Sequence, residues 1–440
     1  MLGNSVPLRR IARLSLAAIA LAVLPTAGWA ADSAISSTAS SPIGLGTETL
    51  VDMLRGERSF EDSFDAAFKA AIPKEKWQAI LASLTSQYGQ ALNIIDTDDS
   101  GPYSSTVRVR FEKGVGTFAL SVTSTGIING LLIKDFSATD DSIAKIDSDF
   151  GKLSGSSGYV VEELGNDGNS RVLAGRNVNA QFAIGSTFKL YILAELATEV
   201  QSGERKWADV TTLPHRTYSA TALNRWPSDS RVTLQSLATW MISVSDNRAT
   251  DNLLHLLGRE RVEMKLAMIG HSDPERILPL LSTVEAFALK SPGNSALRQA
   301  FLNANESNQR QLLVSNADKL GFDRVDPSMF AGGPLYNDTI EWFASPTDIG
   351  LALDNIRRSG SKEALDILAI NPGVISPGSK WKYVGYKGGS EPGVISMSYL
   401  LQSASGRWLV ISGSWNDKDK NVDETRFSML IARLADQFAQ

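Results

Sequence analysis

Cysteine is absent from the 440 residues, which excludes disulfide cross-links, thiol chemistry and a lipid-modified cysteine. Histidine is scarce. His215, His255 and His271 are the only three, and their spacing matches no metal-ligand pattern, so no metal and no other cofactor is expected. No basic block interrupts a balance of 43 Lys and Arg against 48 Asp and Glu, and nucleic acid is not an expected partner. Phosphate-loop, dinucleotide and Gly-x-Ser-x-Gly fingerprints are missing as well. The apolar run from Leu14 to Leu24 is too short to span a bilayer comfortably. It follows Arg9, Arg10 and Arg13 and precedes the small residues of Gly28-Trp-Ala30, the make-up of a secretory leader cut after Ala30. A periplasmic or secreted protein is expected, mildly acidic and free of the membrane once the leader is removed.

What is present divides into segments. Residues 31–44 are Ser-rich and read as a structureless tether. Helical periodicity runs from Leu50 to Tyr88, with Phe60, Phe64 and Phe68 four apart and Pro73 as a break. Beyond Gly89 the period changes. Thr106–Phe111 alternates strictly, and Gly116–Val122 and Ile127–Ile133 are strand-like and joined by Gly turns. Residues 45–137 are therefore expected to form a small α+β domain of helices followed by an antiparallel meander, its aromatics serving as core. Residues 138–156, polar and rich in Gly and Ser, read as a linker. Residues 157–440 form the second domain. It opens with a hairpin, Tyr159–Leu164 and Arg171–Gly175 about the turn at Asn166-Asp-Gly-Asn169. A helical middle follows, then strands at Val394–Leu401 and Arg407–Ser414 and a closing amphipathic helix over Asp423–Phe438.

Chemistry concentrates at Phe182-Ala-Ile-Gly-Ser-Thr-Phe-Lys189. Ser186 and Lys189 are three apart at a helix entry, so they share one face. The hydroxyl lies near the positive end of the helix dipole, where developing negative charge is favoured. A desolvated lysine can fall far enough in pKa to take its proton. One Ser-x-x-Lys means little by itself, and Ser142-Ile-Ala-Lys145 is a second in this chain. Company changes the reading: Ser245-Asp-Asn247 and Lys387-Gly-Gly-Ser390 follow in that order.

This order resembles the signature of the serine β-lactamases and penicillin-binding proteins. The flanks Gln181–Lys189 and Met241–Thr250 resemble class A β-lactamase segments. The resemblance implies an α+β fold in which an antiparallel sheet flanked by helices, built from both chain ends, stands beside an all-helical half. The first domain resembles the small N-terminal domain that precedes β-lactamase-like domains in a protein of clavulanic acid clusters and in mycobacterial lipoproteins; its role there is obscure. By the same resemblance Ser186 is the acylated nucleophile, Lys189 its base and Ser245 the proton relay. Lys387 attracts a substrate carboxylate. Asn247 contacts the substrate amide, and Gly389 and Ser390 line the oxyanion side, with the Ser186 and Ser390 amides as donors. Asp246 braces the loop.

Three departures bear on function. No Glu-x-x-Leu-Asn string supplies the class A deacylating carboxylate. Glu341 and Glu285 are the candidate stand-ins, although Glu285 also suits a helix opening at Ser282-Thr283. A segment around Ser291–Phe330 is inserted and could wall the cleft. Gly388 replaces the usual Thr or Ser, deleting a hydroxyl that would bind a substrate carboxylate. The expected activity is hydrolysis of a small-molecule acyl donor by a monomer. A β-lactam comes first and an ester second, and a penicillin-binding sensor acylated without turnover is the alternative. In a fourth reading the pocket is vestigial and the N-terminal domain is an interaction module.

Overall fold

The computed structural model describes residues 41–439 except Asp140, Asp167, Ser219, Ala220, Ser376 and Ser379. The expected leader and residues 31–40 of the tether lie outside the described residues. The tether does not reach position 44, because Pro42 opens helix α1 (Pro42–Arg55) with Ser41 as its cap. Helices α2 (Phe60–Ser63), α3 (Ala66–Ala71) and α4 (Lys74–Tyr88) follow. The Phe60/Phe64/Phe68 spacing suggested one helix, yet Phe64 is extended between α2 and α3. Its ring still stacks on Phe68 with centroids 4.1 Å apart and meets Trp77 edge-on at 5.1 Å. The aromatic contacts hold where the helical period fails.

Four antiparallel strands in sequential order complete this part: β1 (Ala91–Gly101), β2 (Ser104–Phe111), β3 (Gly114–Val122) and β4 (Ile128–Ala138). Val107, Val109, Phe111, Phe118, Leu120 and Val122 point into a core shared with α1 and α4. Strand β1 has no alternating apolar signal. It is an edge strand carrying Asn93, Asp96, Asp98 and Asp99, mostly exposed, and charge on an edge discourages pairing with another chain.

The expected linker is corrected. Helix α5 (Ile143–Phe150) occupies it, capped by Ser142, so the second Ser-x-x-Lys is a helix start. Ile146, Phe150 and Leu153 are buried in the core of the unit that follows. That unit continues with β5 (Ser156–Leu164), β6 (Ser170–Arg176), the short β7 (Phe182–Ala183) and helix α6 (Lys189–Gln201). A two-stranded ribbon, β8 (Val210–Thr211) with β9 (Val232–Thr233), precedes helices α7 (Leu234–Ser243), α8 (Asn247–Leu257), α9 (Arg259–Ile269) and α10 (Thr283–Lys290). The inserted segment folds as α11 (Ser295–Leu302) and α12 (Glu306–Ser315) with single-turn helices, and Leu313, Leu320 and Val325 bury it in the helical core. The chain ends with β10 (Phe343–Ala344), α13 (Pro346–Arg358), α14 (Lys362–Ala369), β11 (Trp381–Glu391), β12 (Val394–Ser403), β13 (Trp408–Asn416) and α15 (Glu424–Phe438).

The second sheet runs β11-β12-β13-β5-β6, all antiparallel, so both ends of the unit build it. One face carries Tyr159, Met397, Tyr399, Leu401, Leu409 and Ile411 against α5 and α15. The other carries Leu400 and Val410 against α6 and α13 of the helical half. Cover on both faces explains why these strands read as continuous apolar runs. Edge strand β11 borders the turn that precedes α6, and the candidate site lies there.

Candidate active site

Three features fix the turn ahead of α6. Strand β7 pairs with β10, and Ile184 N donates to Trp342 O at 2.9 Å. Phe188 stacks on Trp342 with centroids 4.1 Å apart and planes 5° apart. Gly185, at φ +48°, reverses the chain. Residues Gly185–Phe188 then form one 3-10 turn, so Ser186 precedes the regular helix and Lys189 is its first residue. Strand β11 presses against this turn. A Cβ on Gly389 would lie 2.5 Å from Ser186 N and 2.8 Å from Thr187 N, so only glycine fits. A Cβ on Gly185 would in turn lie 3.3 Å from Ser390 N. The amides of Ser186 and Ser390 therefore border one narrow crevice.

Lys189 and Lys387 reach this region from opposite sides, 0% and 2% exposed. Lys189 Nζ donates to Ser245 O at 2.7 Å, Ser245 Oγ at 3.1 Å and Asn247 Oδ1 at 2.7 Å. Lys387 Nζ donates to the same Ser245 Oγ at 3.0 Å and to Gly388 O. Burial pushes Lys189 down to about 7, against the opposing charges of Asp246 and Asp251. Burial, then the neighbouring Lys189, holds Lys387 well below the usual lysine range. An amine so placed can accept a proton near neutral pH.

The loop between α7 and α8 carries the strain. Ser245 has φ +56°, a conformation an L residue keeps only when its surroundings hold it. Here both lysines hold its hydroxyl and Lys189 its carbonyl. Asp246 caps α8 through Ala249 N at 2.5 Å and also accepts from Thr221. Asn247 Nδ2 donates to Tyr218 O at 3.1 Å. Buried Arg248 donates to Leu213 O, Leu223 O and Trp226 O at 2.6–2.9 Å, tying the long connection between α6 and α7 to the site. Nothing in the sequence singled out Arg248, whose signal would have been its place beside Ser-Asp-Asn.

Residues 140–306 match the model of the beta-lactamase enzyme family. The part of the chain that this match covers has a β-lactamase-like fold. The chain also resembles solved structures at low identity. A β-lactamase from Sphaerobacter thermophilus DSM 20745 is 19% identical, covering 67% of this chain and 96% of that one with TM-score 0.45. One from Chitinophaga pinensis DSM 2588 is 18% identical, covering 67% and 97% with TM-score 0.45. A variant of PBP-A, as its acyl-enzyme complex with penicillin G, is 15% identical, covering 67% and 95% with TM-score 0.44. No curated protein matches the chain.

The two candidate deacylating carboxylates of this β-lactamase-like domain sit in different places. Glu285 belongs to a capping box: it accepts from Ser282 N at 2.8 Å while Ser282 Oγ caps α10. Arg259 clamps it at 2.6 and 2.8 Å. Its partners are thus Ser282 and Arg259, not the lysines of the cleft. Glu341 is joined to two residues the sequence reading passed over. Lys290 Nζ donates to Glu341 Oε1 at 2.8 Å and to Glu391 Oε1 and Oε2 at 2.7 and 2.9 Å. Glu391 could have been noticed, because positions 387, 389 and 391 share one face of a strand.

Gly388 has a steric reason. A Cβ there would lie 2.8 Å from Tyr386 Cζ, so the phenol fills the space a Thr or Ser would use. On the same side lies Glu424, pushed up to about 7 by burial, with Ser390 and Lys76 opposing. Among the described residues no group of three His, Asp or Glu could hold a metal ion; His215 and His255 stack on each other at 3.8 Å.

Proposed function

We propose that this protein is an exported, monomeric serine hydrolase that forms an acyl-enzyme at Ser186 and hydrolyses β-lactams. The observation that carries the proposal is the buried Lys189 amine. It is depressed to about 7, stands three residues from Ser186 and is hydrogen-bonded to Ser245 Oγ at 3.1 Å. Ser186 Oγ attacks the acyl carbonyl as Lys189 takes its proton. The amides of Ser186 and Ser390 receive the developing oxyanion, a contribution usually worth about 3–4 kcal/mol per donor. Ser245, held between two lysines, passes a proton to the leaving nitrogen. Asn247 presents Oδ1 to Lys189, leaving it oriented beside the substrate amide. The leader-like composition of residues 1–30 supports export.

Ester hydrolysis by the same steps is a second reading, and one observation favours it. Where a carboxylated β-lactam would seek a hydroxyl next to Lys387, the chain has Gly388, with the space for a side chain filled by Tyr386. A lost hydrogen bond to a charged group costs about 1.5–3 kcal/mol, so a neutral ester loses less at this site than a carboxylated β-lactam.

Time-resolved intact mass of the mature protein with a penicillin, a cephalosporin and a p-nitrophenyl ester tests both readings, with Ser186→Ala alongside. Expected is a Ser186-dependent adduct that decays as product accumulates. An adduct that never decays makes the protein a binder or sensor. No adduct and no Ser186-dependent hydrolysis of any substrate sinks the proposal.

A further inference from the structure

Among the buried charged clusters that the acylation chemistry proposed above leaves unused, one joins Lys290, Glu341 and Glu391. Lys290 ends α10, Glu341 precedes the Trp342 that stacks on Phe188, and Glu391 ends β11. Their side chains are 2%, 1% and 17% exposed, so Glu391 alone has an outlet to solvent. The cluster is rigidly mounted. Trp342 Nε1 donates to Leu281 O at 2.9 Å, and Arg298 Nη1 donates to Leu289 O at 2.9 Å at the end of α10.

Its place relative to the nucleophile follows from strand geometry. Lys387, Gly389 and Glu391 lie on one face of β11, and Gly389 abuts Ser186 N. At about 3.3 Å per residue, the Glu391 backbone is about 7 Å along the strand from Gly389.

The composition also asks for an explanation. A structural ion pair needs one carboxylate for one ammonium. A second buried carboxyl adds like-charge repulsion and desolvation and makes the cluster a poor stabilising device. Two carboxyls around one cation are relieved by sharing one proton. Burial and the charge of Glu341 keep Glu391 protonated far above the usual carboxyl range, and Lys290 stays charged between them.

We propose that Glu391 and Glu341 act as one proton-sharing pair that activates the water hydrolysing the Ser186 ester. Glu391 touches the water, and Lys290 is a positioning residue. The inference rests on the acyl-enzyme reading above. The water oxygen bonds to the acyl carbon as one of its protons passes to Glu391, whose own proton passes to Glu341. When the tetrahedral adduct collapses, the bond from carbon to Ser186 Oγ breaks and Oγ recovers that proton, so the pair ends with the one proton it began with. The cleft thus receives its base from the end of the edge strand.

Glu391→Gln tests this, because glutamine has the shape of the protonated carboxyl but cannot accept the water's proton. Intact mass after mixing with a penicillin or the p-nitrophenyl ester is expected to show Ser186 acylated at the wild-type rate and cleared about 100-fold more slowly, the usual size of a general-base effect. Glu391→Asp, which keeps a carboxyl for Lys290, is expected to clear at an intermediate rate. It carries the test should the Gln variant not fold, as judged by its thermal midpoint. Clearance at the wild-type rate in the folded variant overturns the proposal, and so does a wild-type adduct that never clears. A wild-type protein that is not acylated at Ser186 overturns the acyl-enzyme reading itself and this inference with it.

Discussion

Lys189 and Lys387 donate to one acceptor, the Ser245 hydroxyl, at 3.1 and 3.0 Å. Two buried ammonium groups so close repel strongly, and desolvation favours the neutral amine of each. With Lys189 at about 7, its basic form grows as pH rises from 6 to 8. Acylation of Ser186 is expected to rise about tenfold over that range and then level off, the behaviour of a base titrating near 7. Rapid-quench mass measurement across pH checks this. Lys189→Ala should lower the rate about 10²–10⁴-fold and abolish the rising limb.

Gly388→Thr, which restores the residue usual in class A enzymes, is expected to damage this protein. The added side chain collides with the Tyr386 ring, and overpacking costs about 1–3 kcal/mol. Thermal unfolding should show a lowered midpoint. The atom nearest that added side chain is the Tyr386 hydroxyl oxygen, so Tyr386→Phe in the same chain should recover part of the loss.

Glu285→Gln separates a capping carboxylate from a reacting one. It removes the negative partner of Arg259 and weakens the capping box at Ser282, so stability should fall by about 1 kcal/mol in urea titrations. The lifetime of any Ser186 adduct should not change.

Arg433 on α15 is the anchor that joins this helix to α5. It binds Asp141 through two nitrogens at 2.7 and 2.8 Å and Asp149 at 2.9 Å. Removing the cation leaves Asp141 buried without its counter-charge, a change that costs about 3–5 kcal/mol. Arg433→Ala should therefore lower the urea midpoint far more than Glu285→Gln does.

The part of the site legible from the sequence is the part made of short-range relations. Ser186 and Lys189 are three residues apart, and Ser245 to Asn247 and Lys387 to Ser390 are contiguous strings. The alternation of β2 and β3 and the cap at Ser282 are equally local. Each needs only the period of a helix or strand and the hydrogen-bonding habit of one side chain.

Other features stayed hidden because their cause is remote in the chain. Strand β1 is polar and pairs only because β2 offers its edge. Helix α5 looks like linker until Ile146 and Phe150 find the sheet and Arg433 arrives from near the C-terminus. Lys290 meets Glu341 and Glu391 from 51 and 101 positions away, and no pattern within one segment encodes that meeting. Motif and period determined which residues are available for chemistry. Burial and charge proximity, summed over segments that only the fold brings together, decided which of them are stripped of water beside another charge and which merely hold a helix end.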